Sequence, residues 1–375
     1  MLVTLKANAI EIGSAYATFS IAALISPFFI GLIADRFFAS QRVLAFLHLL
    51  GACLLYLTAD VQQTNVFCWF ILGYTLLYTP TIALSNAISF NQMQEPGKDF
   101  PAIRVMGTIG WIMAGLLIGY LNLESSPQSF RLGALGSLIL GLFCFLLPDT
   151  PPKKKAADIR SIVGLDALVL FKNRSFLLFF IVSILTCIPL TFYYNFANPF
   201  LNDIGVPNAA GKMTLGQISE GLFLLVIPLL FSRLGIKKML AIGLLCWVLR
   251  YVLFAFGDPD TNLWMLLLGI FLHGACYDFF FVTGQIYTER NAGKEIKNAA
   301  QGLITFATYG IGMLIGSYLS GVLTERFVIT DGVKVSYNWE EVWLIPAGIS
   351  AVVLVLLILF FKENENAKTK KIEIE

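Results

Sequence analysis

The chain has 375 residues, of which 57% are hydrophobic, 14% aromatic and only 13% charged. Mean hydropathy is +0.76 and the formal net charge is +2. Only a chain solvated by lipid carries that balance, which excludes soluble-enzyme classes. Basic residues spread thinly along one side exclude a nucleic-acid-binding protein.

A run of ~18 or more apolar residues crosses a bilayer as a helix. Eleven such runs follow one another, at about 12–33, 43–59, 66–90, 106–121, 132–147, 175–201, 214–234, 239–257, 263–287, 299–323 and 342–361. A few fall slightly short, and several are long enough to imply tilt or kinks. Cys53, Cys68, Cys144, Cys187, Cys246 and Cys276 all lie inside these runs, without CxxC spacing. They read as small packing residues, not as disulfides or zinc ligands. The sequence holds no P-loop, no GxGxxG after a strand and no HExxH. No cofactor, metal or ATP-driven step is expected, and no nucleophile–base pair points to an enzyme.

Lys and Arg collect on cytoplasmic connections. Twenty of the 26 lie on one set of alternate connections, including Arg36, Arg42, Lys153, Lys154, Lys155, Lys237 and Lys238; only Arg131, Lys212, Arg326 and Lys334 lie on the other. The C-terminus is therefore expected in the cytoplasm and, with eleven spans, the N-terminus outside. The basic segment 148–174 divides the spans five against six, giving expected domains 1–147 and 175–375 joined by a cytoplasmic linker. Many transporters are two six-helix halves, so the simplest expectation is one further span before Met1. A true eleven-span chain is the alternative.

Ionisable groups at membrane depth mark function by default. In chain order, Asp99 reads as an N-cap and Pro101 as a first-turn residue. Arg104, Thr108 and Trp111 then share one helix face, at i, i+4 and i+7. Guanidinium, hydroxyl and indole suit a polar planar ligand; an arginine serving only the charge rule is the alternative. Phe192, Tyr193, Tyr194 and Phe196, with Asn195 and Asn198, suit an uncharged ring-bearing solute, or simply pack. Thr214, Gln217 and Glu220 recur every three residues, a polar stripe that must face protein or water. Arg250 stays charged and reads as half of an ion pair between helices. Asp278, near mid-span in 263–287, is a candidate proton carrier, with a structural partner for a buried Arg as its alternative. On a regular helix Gly274, Phe281 and Gln285 share its face, and His273 and Tyr277 form an adjacent stripe.

Gly31-Leu32-Ile33-Ala34-Asp35-Arg36 resembles the loop after the second helix of the major facilitator superfamily. There an Asp and basic residues latch the cytoplasmic side, which implies a gate of Asp35, Arg36 and Arg42. Residues 232–238 form a weak second copy that lacks the Asp. Phe100-Pro101-Ala102-Ile103-Arg104-Val105-Met106-Gly107-Thr108, Gln217-Ile218-Ser219-Glu220, Leu249-Arg250 with Gly257-Asp258-Pro259, and Tyr277-Asp278-Phe279-Phe280 narrow the resemblance to the nucleoside–proton symporter family. Those stretches span nearly the whole chain.

The resemblance implies an all-α polytopic membrane protein, two six-helix bundles with the first helix missing, importing nucleosides with protons by alternating access. Arg104, Thr108 and Trp111 would line one half of the site. Gln217, Glu220, Tyr277 and Asp278 would line the other, with Asp278 proton-linked and Arg104 a ligand anchor. Thr191 and Tyr194 offer a hydroxyl and a ring where the family tends to offer amides, and His273 stands where a tyrosine-like residue is expected. Both departures bear on base preference or substrate class. The implied setting is a monomer in a bacterial inner membrane, whose partners are nucleoside, proton and lipid. A symporter of sugars or another polar solute, or a non-transporting truncated chain, stays open at this point.

Overall fold

A computed structural model describes all residues except 1, 3, 37, 94, 95, 125, 152–164, 332, 333 and 363–375. Side chains are described except, in addition, at 27–36, 87, 90, 96–102, 104, 165, 232, 293–295, 297, 298, 331 and 334. In chain order the elements are α1 Ala9–Arg36, α2 Ser40–Thr58, α3 Thr64–Gln92, α4 Pro96–Tyr120, α5 Gln128–Cys144 and a 3-10 segment Leu165–Lys172. There follow α6 Arg174–Asp203, α7 Ala209–Phe231, α8 Arg233–Phe256, α9 Leu263–Ala292, α10 Ala299–Glu325 and α11 Trp339–Phe360. Among the described residues, nine of these are long and apolar enough to cross a bilayer; α5 and the apolar part of α4, Val105–Tyr120, are shorter.

Helical hydrogen bonding runs on from α7 into α8, and the break falls at Gly235 with φ 73° and ψ 175°, a conformation open only to glycine. It continues likewise from Thr283 to Thr305, between α9 and α10. Two departures from expectation concern element ends. α4 begins at Pro96, a residue suited to the first helical position because it lacks the N–H that a helix start leaves unpaired. Asp99 therefore lies inside the helix instead of capping it. A two-stranded antiparallel hairpin, β1 Val328–Asp331 with β2 Lys334–Tyr337, interrupts the otherwise helical fold between α10 and α11. Asp203 Oδ2 ties it down, accepting from Trp339 Nε1 at 2.7 Å and from the Ser336 hydroxyl.

Lipid tails are as apolar as leucine, so helices in a membrane associate by close packing and buried hydrogen bonds. α1, α2, α3 and α5 pack on one another, and α6 to α11 form a second, larger group. An aromatic cluster joins α6, α8 and α11 in that group: Trp343 lies 5.3 Å from Phe200, 5.6 Å from Tyr251 and 5.1 Å from Phe254, ring centre to ring centre. The groups meet along two seams, α1 on α10 and α4 on α7. Small residues make the first seam: a Cβ on Gly321 would stand 2.6 Å from the Ala9 carbonyl oxygen. At the start of the linker, Gln41 on α2 donates to Asp149 Oδ1 at 2.6 Å and accepts from the Thr150 N–H at 2.9 Å.

Candidate functional site

Asp278 stands where α9 changes its winding. The α-helix Leu263–Tyr277 gives way to a π-helical turn, Asp278–Val282, before α-geometry resumes at Thr283. Such turns carry one extra residue and recur at functional sites. The Asp278 side chain is 1% exposed, and its Oδ2 has no hydrogen-bond partner among the described residues. A second π-helical turn, Phe306–Gly312, lies on α10, and the Tyr277 and Tyr309 hydroxyls join the two turns in a short hydrogen bond. The extra residue also corrects the expected face. Gln285 does not follow Asp278 around a regular helix; it is exposed, and its carbonyl accepts from Gln301 Nε2 at 2.8 Å.

Glu220 reaches the same place from α7. A Cβ on Gly274 would overlap the Ser219–Glu220 peptide, and the Gly274 N–H donates to Ser219 Oγ at 2.9 Å. Glycine at 274 lets α7 and α9 touch there, and Glu220 interacts electrostatically with Asp278, Tyr194 and Tyr277. Gln217 is half-buried one turn away. Thr214 parts from the stripe: its hydroxyl donates to the Gly211 carbonyl at 2.7 Å, and its methyl abuts α4 at Gly115.

His273 supplies the ring wall. It stacks on Tyr193 at 5.0 Å, meets Tyr194 edge-on at 6.3 Å and lies 6.1 Å from Tyr277. Arg250, buried in α8, makes no ion pair among the described residues, against the expectation. Its Nη1 lies 3.1 Å from His273 Nδ1, and its guanidinium carbon sits 3.4 Å from the Tyr193 ring centre, with Trp247 and Phe254 at 5.4 and 5.7 Å. Ring faces replace the anion, an attraction that grows where water is excluded. Thr191 is fully buried; its hydroxyl donates to the Ile188 carbonyl at 2.8 Å and faces α10 at Gly316.

On α4, Thr108 is half-buried and Trp111 is 66% exposed; the Arg104 side chain lies outside the described residues. No atom would come within 4 Å of a Cβ at Gly107 or Gly110. α4 and α7 meet at Gly115 and Gly119. The expected gate falls at the linker end. The Asp35 and Arg36 side chains lie outside the described residues, and Arg42 is exposed in the first turn of α2.

The opposite end is closed. Glu124, after α4, accepts through Oε2 from Asn198 and Asn202, both at 3.3 Å, and through Oε1 from the Ala210 N–H at 3.0 Å. The Ala9 N–H donates to Glu325 at 2.7 Å. Beneath this closure a cavity of about 410 Å³ is lined by Tyr16, Phe19, Phe67, Phe130, Glu124 and Asn198, among others. Glu124 and Tyr309 were not singled out by sequence; a polar residue beside a connection and a ring in an apolar run carry no distinguishing signal.

A family model described as nucleoside H+ symporter matches residues 1–366. The chain belongs to the nucleoside–proton symporter family. The resemblance read from the 100–108, 217–220 and 277–280 stretches is thereby borne out. YegT of Escherichia coli (strain K12) is 44% identical over 373 residues, covering 96% of this chain and 87% of that protein. The xanthosine permease of the same strain is 34% identical, covering 99% and 92%. A crystal structure of the nucleoside transporter NupG superposes with a TM-score of 0.89 at 35% identity, covering 97% of this chain and 93% of that one. The fold is the expected helical fold of the major facilitator superfamily, in a multi-pass membrane protein whose family and structural neighbours are transporters.

Proposed function

We propose that this chain imports nucleosides together with protons, as a secondary active transporter working by alternating access. Asp278 carries the reading: a carboxylate at membrane depth, unpartnered at Oδ2, beside Glu220 and a wall of His273, Tyr194 and Tyr277. Ionised, such a group is costly to seal away from water; protonated, it is not. A proton on Asp278 lowers the cost of enclosing the occupied site, and its release on the other side resets the cycle.

Arg104, Thr108 and Trp111 on α4 would hold one side of the nucleoside, and Gln217, Glu220, Tyr194, His273 and Tyr277 the other. Thr191 shapes the wall through its packing. The units that rock are residues 1–147 and 175–375, tied by 148–174, and Asp35, Arg36 and Arg42 would gate the linker end. The distribution of Lys and Arg supports a cytoplasmic C-terminus and linker, so the closed end faces outward. The setting is an inner membrane, with lipid around a monomer. Membrane potential adds ~2.3 kcal/mol per charge per 100 mV to uptake.

The test is uridine and adenosine uptake in cells lacking their own nucleoside carriers, with and without a proton uncoupler. Uncoupler-sensitive accumulation is expected. Protein present in the membrane that accumulates neither nucleoside would overturn the reading.

A further inference from the structure

Arg250 and His273 form a pair whose polarity is fixed by chemistry. The guanidinium is fully buried, and its Nη1 lies 3.1 Å from His273 Nδ1. Nε and Nη2 have no hydrogen-bond partner among the described residues. Arginine has only donors and stays protonated in proteins. In the bond to Nδ1 the guanidinium therefore donates and the Nδ1 lone pair accepts. The ring's one remaining proton then sits on Nε2. A proton on Nδ1 would remove the acceptor and set a second cation in direct contact with the guanidinium in a buried site walled by Tyr193, a like-charge contact that burial makes costly. The ring that carries Nε2 borders Tyr194 and Tyr277.

We propose that Arg250 is a positioning residue that locks His273 as the neutral Nε2–H tautomer, so that this wall always presents a donor. The solute it selects places a hydrogen-bond acceptor there, a carbonyl oxygen or an unprotonated ring nitrogen of a nucleobase. The ligand half of this inference rests on the nucleoside reading above; the tautomer half does not. Sites built around one donor discriminate strongly against analogues that lack the matching acceptor, because the buried donor is then left unpaired.

The chain has two histidines, so ring-¹⁵N-histidine-labelled protein in lipid nanodiscs gives two sets of ring signals, and His48→Gln assigns them. His273 is expected to show a bare Nδ1 and a protonated Nε2. Arg250→Met should let the ring sample both tautomers and raise the KM for uridine about tenfold while the maximal rate stays within about twofold, as for one lost hydrogen bond. Arg250→Lys restores a donor and should return the ring pattern and much of the KM. A protonated Nδ1 in the unaltered protein overturns the proposal, a result that needs no variant to fold. So does a ring pattern in Arg250→Met identical to the parent. If the ring behaves as expected but no nucleoside perturbs it or is taken up, the tautomer lock stands and the nucleoside reading falls.

Discussion

Three charged residues in the second group meet three different environments, and each environment sets what the residue can do. Asp258, in the exposed connection after α8, accepts from the Thr261 N–H at 2.7 Å, the Thr261 hydroxyl at 2.7 Å and the Asp260 N–H at 2.9 Å. Those bonds, the Thr261 N–H foremost, hold its pKa below the ordinary 3.8. A lowered folded-state value means the turn's contribution is complete above pH 3.8 and is lost as pH falls through the folded value. Thr261→Val should move the Asp258 titration, followed by carboxyl NMR, back toward the ordinary value. Asp278 has no such donors at Oδ2. Asp278→Asn should abolish uncoupler-sensitive accumulation while leaving nucleoside exchange down a gradient measurable; accumulation by that variant would remove Asp278 from the proton path. Asp278 was legible in the sequence by its apolar surroundings, whereas Asp258 entered only as part of a stretch that carries the family resemblance. The surroundings of Arg250 were not legible. Tyr193, Trp247 and Phe254 look like any packing ring in a chain so rich in them, so an anion was the natural partner to expect.

Helices were the most legible elements because their apolar runs are set by bilayer thickness. Their ends and internal windings were not. An N1 proline moved the start of α4 forward to Pro96, and the π-helical turn at Asp278 rotated Gln285 off its expected face. A π-turn has no sequence signature; it persists because neighbours such as Tyr309 stabilise it. Contact between α7 and α9 depends on the missing side chain of Gly274. Gly274→Val should destabilise the protein by about 1–3 kcal/mol through overpacking, read as a lower melting temperature in detergent. Gly348→Ala on α11, where a Cβ meets nothing within 4 Å, should instead be neutral or stabilise by up to about 1 kcal/mol, since alanine is the better helix former. Equal losses from the two substitutions would show that close approach at Gly274 is not what matters.

For the molecule as a whole, the division into two groups follows from the linker and the spacing of the runs. Which end is closed was not legible, because it depends on a small free-energy difference between two packings of the same residues. The closed end is held by Glu124 against Asn198, Asn202 and Ala210, and by the α1–α10 seam. Glu124→Ala should speed amide hydrogen exchange at Ala210 and in the first turn of α1, measured by mass spectrometry in nanodiscs; unchanged exchange would mean the seam alone holds that end. The Arg131–Asp60 pair, at 2.7 Å but 40% and 59% exposed, contributes at most about 1 kcal/mol there. In the Glu124 closure the carboxylate is met by amide and backbone N–H groups and, among the described residues, by no cation. Mobile ions weaken attraction between full charges over a Debye length of ~10 Å at 0.1 M, but they barely touch short bonds to uncharged dipoles or glycine-to-backbone packing. The Glu124 closure is thus insulated from electrolyte: it holds as firmly in brackish surroundings as in fresh water, leaving membrane voltage and the proton gradient to decide when it opens.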